Sequence, residues 1–105
     1  RRQRQMCIRD SNYIREHYKD DISIGDVAEE ACIGERYLRK IFSQHLNLSP
    51  VDYLNQIRIN KAIELLRITE LSVKEVCFEC GFRSPQYFSR IFKQLVGVSP
   101  SDLLK

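Results

Sequence analysis

The chain has 105 residues, 43% hydrophobic and 30% charged, with a formal net charge of +3. That length admits one ordinary domain, or two very small lobes sharing an element, with enough apolar material for a core. No run of about 18 apolar residues occurs, so no membrane-spanning helix is expected in this chain, and the basic start Arg1-Arg2-Gln3-Arg4-Gln5 has no apolar stretch behind it, so it is not expected to be a secretory signal.

Taken in order, residues from about Gln3 to Tyr18 place Met6, Cys7, Tyr13, Ile14, His17 and Tyr18 at helical spacing, with charges between them. This predicts an amphipathic helix ending before Lys19-Asp20-Asp21. Ser23-Ile24-Gly25-Asp26 has the form of a capping box with a short acid, and it opens a short helix with Val27, Ala28 and Ala31 inward. After the break Cys32-Ile33-Gly34 a second helix is expected over Glu35–Leu46. Its inner face is Tyr37, Leu38, Ile41, Phe42 and Leu46; Arg36, Arg39, Lys40 and Ser43 recur on the outside at i, i+3, i+4 and i+7. Asn47 tolerates the left-handed conformation that ends many helices.

Ser49-Pro50-Val51-Asp52 starts a long helix: a Ser N-cap, a Pro in the first turn and a carboxylate near the positive end of the dipole. Its apolar side chains do not form one stripe. Tyr53, Leu54 and Ile57 point one way, and Ile59, Ala62, Ile63 and Leu66 about half a turn away. Such a helix is expected to bridge two small cores.

Beyond it the pattern recurs. Ser72-Val73-Lys74-Glu75 is a full capping box opening a short helix with Val73, Val76, Cys77 and Cys80 inward. Gly81-Phe82-Arg83 is the break, and Ser84-Pro85 restarts a helix that buries Tyr87, Phe88, Ile91, Phe92 and Val96 and exposes Gln86, Ser89, Arg90 and Lys93. Gly97 ends it, and Ser99-Pro100-Ser101-Asp102 begins a last short helix. Shifted by fifty residues, Tyr37, Ile41, Phe42, Gln44, Ser49, Pro50, Asp52 and Leu54 fall on Tyr87, Ile91, Phe92, Gln94, Ser99, Pro100, Asp102 and Leu104. The short helices align at forty-nine, so the second copy has one extra residue in its break, near Arg83.

The expected fold is therefore all-α: two helix-turn-helix subdomains joined by a long central helix, about seven helices in all. Residues 1–48 hold the N-terminal helix and the first subdomain, 49–68 the linker helix, and 69–105 the second subdomain. In a helix-turn-helix the second helix can lie in the DNA major groove, where Arg bridges guanine O6 and N7, Gln bridges adenine N6 and N7, and Ser donates or accepts. A solvated surface explains one such cationic face as well; the same face twice, in the same register, favours DNA. A bridge of about 17 residues spans roughly 26 Å, so two recognition helices one turn of B-DNA apart are within reach.

The sequence resembles the DNA-binding domain of the AraC/XylS family of transcription regulators over essentially its whole length. The resemblance is carried by Cys80-Gly81-Phe82-Arg83-Ser84, by Tyr87-Phe88-Ser89-Arg90-Ile91-Phe92-Lys93 with Gly97-Val98-Ser99-Pro100, by Tyr37-Leu38-Arg39-Lys40-Ile41-Phe42, and by Arg58-Ile59-Asn60-Lys61-Ala62 with Leu65-Leu66. It implies sequence-specific binding of double-stranded DNA and regulation of transcription. Base-facing positions would be Arg36, Arg39 and Lys40 in the first copy and Gln86, Ser89 and Arg90 in the second, with Arg83 and Lys93 nearer phosphates. It also implies RNA polymerase as a further partner and an effector-binding or dimerisation domain in a longer parent protein; a chain that does not start with Met is expected to be a fragment.

Two departures from the pattern stand out: Cys32 where the second copy has Gly81, and Gly34 in place of the Ser84 cap. The first predicts strain of about 1 kcal/mol if that turn needs positive φ. The four cysteines lie in helical apolar patterns, read as buried thiols of a reduced cytoplasmic protein. Cys77 and Cys80 form a C-x-x-C, but His17 and His45 supply no paired ligand motif, so neither a metal site nor any other cofactor is expected. No nucleophile elbow, P-loop or acid–base pair nominates an enzyme. The alternative class is a helical adaptor that contacts the transcription machinery without reading bases.

Overall fold

The computed structural model describes residues 11–104. The N-terminal helix expected from Gln3 falls partly outside them, with Met6 and Cys7; residues 11–17 are helical and form the described part of α1. Then follow α2 (Ile24–Glu30), α3 (Glu35–Leu46), α4 (Pro50–Ile68), α5 (Val73–Glu79), α6 (Pro85–Val96) and α7 (Pro100–Leu103). No strand occurs among the described residues. The protein is all-α, as the periodicity requires.

The chain divides into two compact units inside α4, between Leu54 and Asn55. In the first, Ile14 of α1, Val27 and Ala28 of α2, and Leu38, Ile41 and Phe42 of α3 are buried, together with Leu54 at the start of α4. Tyr53 meets Phe42 edge-on at 5.7 Å, and Arg15 Nε donates to the Tyr53 hydroxyl at 2.9 Å. In the second unit Ile59, Ala62 and Leu66 of α4 pack with Val76, Cys77, Cys80, Phe82, Phe88 and Phe92. The change of apolar face along α4 thus matches a change of core.

Each start signal forms as read. In both capping boxes the Ser side chain accepts from the backbone N–H three residues on, and the acid there accepts from the Ser N–H: Ser23 with Asp26, and Ser72 with Glu75. That N–H, donated at 3.0 Å, lowers the Glu75 carboxyl below its ordinary range. Ser49, Ser84 and Ser99 cap α4, α6 and α7 in the same way. Gly34 caps α3 with no side-chain hydrogen bond, so this helix start is less well satisfied.

The two turns are built alike. The N–H groups of Cys32 and Ile33 donate to the carbonyls of Glu29 and Ala28, and those of Gly81 and Phe82 to Phe78 and Cys77. This is the Schellman pairing, which requires a left-handed residue just after the helix. Gly81 adopts φ 97 and Cys32 adopts φ 59. Since a Cβ disfavours that region, Cys32→Gly is expected to raise the stability of the first unit by about 0.5–1 kcal/mol, and Gly81→Ala to lower that of the second by a similar amount. Denaturant midpoints at unchanged m-value check both. Asn47, at φ 57, and Gly97, at φ 98, close α3 and α6 as expected.

Burial departs from the periodic reading at several places. Cys32 is exposed, not a buried thiol, because the left-handed turn carries it off the apolar face of α2; Cys77 and Cys80 are buried as expected. Tyr13, Tyr18, Tyr37, Leu46, Val73, Tyr87, Ile91 and Val96 are half-buried, lying at the margins of their helix faces.

Candidate nucleic-acid interface

Each unit presents the second helix of a helix-turn-helix to solvent. On α3, Arg36, Arg39, Lys40 and Ser43 are all exposed, while Leu38, Ile41 and Phe42 anchor the opposite side. On α6, Gln86, Ser89, Arg90 and Lys93 are exposed, and Arg83 in the preceding turn is exposed too; Phe88 and Phe92 anchor that helix. Every residue expected in the interface is therefore on the surface, and within each unit they share one helix face or the turn that leads into it.

The two faces differ in how their side chains are held. Arg39 Nη2 donates to Glu35 Oε1 at 3.3 Å, an i,i+4 ion pair with both side chains at least half exposed. Such a pair contributes at most about 1 kcal/mol, so a stronger acceptor can take Arg39 over. On α6 no acid stands in the first turn. There the Ser84 hydroxyl donates to the Gln86 side-chain oxygen at 3.2 Å, and the Arg90 guanidinium lies 5.2 Å from the centre of the Tyr87 ring. A guanidinium held over an aromatic ring by cation–π attraction keeps its forked N–H donors, which match O6 and N7 of guanine.

Behind α6 lies a pair of residues the helical pattern passed over. Asn55 is 5% exposed, the one buried polar residue in the described core, and its Nδ2 donates to the Tyr87 hydroxyl at 3.0 Å. A signal was present: Asn55, Ile59, Ala62 and Leu66 follow one stripe at i, i+4, i+7 and i+11, so Asn55 stands at an apolar position. Phe82 sits 6.1 Å from Tyr87 and 5.1 Å from Phe88, and the Arg58 guanidinium lies 5.6 Å from the Phe82 ring centre. The break residue Phe82 thus locks turn, α4 and α6 together.

The other chemistry-bearing residues are occupied structurally. Burial pushes the Cys77 thiol above its ordinary range, which disfavours the thiolate a metal needs. Among the described residues no group of three or more His, Cys, Asp or Glu is arranged to hold a metal. Tyr13 borders an open cleft with Asp26, Glu29, Glu30 and Cys32. Desolvation first, and then these carboxylates, raise its phenol above its ordinary range. This cleft is acidic and has no charge complementarity to a phosphate backbone. No described helix is long and apolar enough to cross a membrane.

The family described as "Helix-turn-helix domain" matches residues 27–105. The transcriptional activator RhaS of Salmonella schwarzengrund is 35% identical over 91 residues, covering 87% of this chain and 33% of that protein. The corresponding activator of an Escherichia coli strain is 34% identical over the same length. The chain thus spans about a third of the length of these curated relatives. Among solved structures, the C-terminal domain of AraT, a response regulator from Geobacillus stearothermophilus, superposes with a TM-score of 0.90 at 35% identity, over 94% of this chain and 83% of that one. The DNA-binding domain of the global transcriptional factor AdpA, solved in complex with a target DNA, gives 0.86 at 27% identity over 91% of this chain and 86% of that one. With two helix-turn-helix units, each presenting a cationic second helix, and with these relatives, the chain belongs to the AraC/XylS family of transcription regulators as a helix-turn-helix DNA-binding domain.

Proposed function

We propose that this chain binds duplex DNA sequence-specifically and serves transcription control in the cytoplasm, with α3 and α6 as its recognition helices. The observation that carries the reading is the duplicated exposed face. Arg36, Arg39, Lys40 and Ser43 on α3 have their counterparts in Gln86, Ser89, Arg90 and Lys93 on α6, each on the solvent side of a helix whose other side is buried. Arg36, Arg39 and Lys40 are assigned to base edges on α3, with Ser43 at the margin. Gln86, Ser89 and Arg90 are assigned to base edges on α6, with Arg83 and Lys93 on phosphates. The two helices are proposed to enter successive major grooves. RNA polymerase as a partner and an effector-binding or dimerisation domain elsewhere in the parent protein complete the proposal; the greater length of the relatives supports the latter.

Selection of this chain on random duplexes tests the whole reading. Two conserved boxes about ten base pairs apart are expected; a single box would restrict base reading to one unit. On the selected duplex, Arg39→Ala and Arg90→Ala are each expected to weaken binding by about 1–3 kcal/mol and to relax preference at one base position. Lys93→Ala should weaken binding to all sequences alike. Alanine variants that titrate the duplex like the parent would remove α3 or α6 from the interface.

A further inference from the structure

The second recognition helix is tied to α4 by a chain of three residues. Asn55 Nδ2 donates to the Tyr87 hydroxyl at 3.0 Å, and the Tyr87 ring carries the Arg90 guanidinium at 5.2 Å. Asn55 is 5% exposed, Tyr87 is half-buried and Arg90 is exposed, so the chain runs from the core of the second unit to its surface. A buried carboxamide is retained at a desolvation cost that its hydrogen bond only offsets. An apolar residue would fill that stripe position of α4 as well, and Ile59, Ala62 and Leu66 do so further along. The hydrogen bond does what an apolar contact cannot: it is directional, and it sets where the phenol ring stands.

We propose that Asn55 is a positioning residue for base readout, holding the Tyr87 ring as the platform on which the Arg90 guanidinium is pre-organised. The inference rests on the assignment of α6 as a DNA-reading helix. An arginine otherwise free to turn about four bonds loses rotamer entropy when it docks on a base edge. One already held over a fixed ring loses less, and the difference enters the affinity for the base pair it reads. On α3, Lys40 occupies the position of Arg90, and Arg39 is engaged by Glu35.

The test uses the parent chain and the variants Asn55→Leu, Tyr87→Phe, Asn55→Leu/Tyr87→Phe, Arg90→Ala and Asn55→Leu/Arg90→Ala. Each is titrated with the selected duplex and with duplexes changed at one base pair at a time, and each is melted without DNA. Asn55→Leu and Tyr87→Phe are expected to reduce preference about two- to tenfold at the base pair lost in Arg90→Ala, and at no other. In the Arg90→Ala background Asn55→Leu should change no preference further. The variant that makes both partners apolar should recover melting temperature but not base preference, because the unpaired buried group is gone while the ring remains unfixed.

Recovery of preference together with melting temperature would reduce Asn55 to a packing role and overturn the proposal. So would normal preference in Asn55→Leu and Tyr87→Phe where Arg90→Ala has lost it, which would leave the reading of α6 intact. If Arg90→Ala itself changes no base preference, the reading of α6 falls and this inference with it. Should Asn55→Leu not fold, Tyr87→Phe carries the same test, since it keeps the ring and removes only the hydroxyl.

Discussion

Raising monovalent salt from 50 to 200 mM is expected to weaken binding to the selected duplex by about a thousandfold to ten-thousandfold. That figure takes about six to eight phosphates as neutralised, with Arg83 and Lys93 among the groups that neutralise them. Each neutralised phosphate releases condensed counterions, and the logarithm of affinity then falls against that of salt with a slope of roughly −5 to −7. The chain as a whole carries a formal charge of only +3, so the effect comes from how charge is placed and not from its total. Both helix faces assigned to DNA are exposed and cationic, while the acidic groups Asp26, Glu29 and Glu30 gather on α2 and away from α3's outer residues in sequence. Lys93→Ala should flatten the slope by about one. Filter binding or fluorescence anisotropy across a salt series reads it directly. A flat slope, or no retention on duplex DNA at low salt, would favour a helical adaptor over a DNA reader.

Phe88→Ala is expected to destabilise the second unit by about 3–5 kcal/mol, against a total of about 5–15 for an ordinary domain. Phe88 is fully buried, one turn into α6, with Phe82 at 5.1 Å and Phe92 at 5.7 Å. It is therefore the contact through which the break, α6 and the core meet. Truncation removes the apolar transfer energy and leaves a cavity in the cluster that Phe88 shares with residues of α4 and α5. The second unit should then unfold first, with loss of the box read by α6. Leu95→Ala on the same helix is the matched comparison. Leu95 is 45% exposed, and its truncation should stay within about 0.5 kcal/mol of the parent. Urea unfolding followed by circular dichroism separates the two. If Phe88→Ala unfolds with the parent's midpoint, the core of that unit is not organised around this ring.

How much was legible in advance differs by residue. Ser23, Ser72, Ser84 and Ser99 marked helix starts, and each accepts the backbone hydrogen bond that a cap should. Asn47, Gly81 and Gly97 marked left-handed ends. Cys32 was legible by alignment with Gly81 alone: the repeat marked it as strained if the turn needs a positive φ, and the chain adopts one there. Its exposure was not legible, because a helical pattern extended two residues past α2 places Cys32 on the inner face. Asn55 and Tyr87 were overlooked as a pair for a related reason. Thirty-two positions separate them, and nothing local to either names the other.

The sequence by itself determined where helices begin and end, that the unit is duplicated, and which side chains the second helix of each copy turns outward. Caps, turn φ values and 3.6-residue periodicity all depend on residues within a few positions of each other, so a linear reading reaches them. Tertiary structure alone decided where along α4 the division between the two cores falls, between Leu54 and Asn55, that a carboxamide is buried under α6, and that Arg90 rests on a ring held from below while Arg39 is engaged by Glu35. Those outcomes depend on what packs against each residue from distant parts of the chain, and burial and hydrogen-bond partnership are set only when the elements meet.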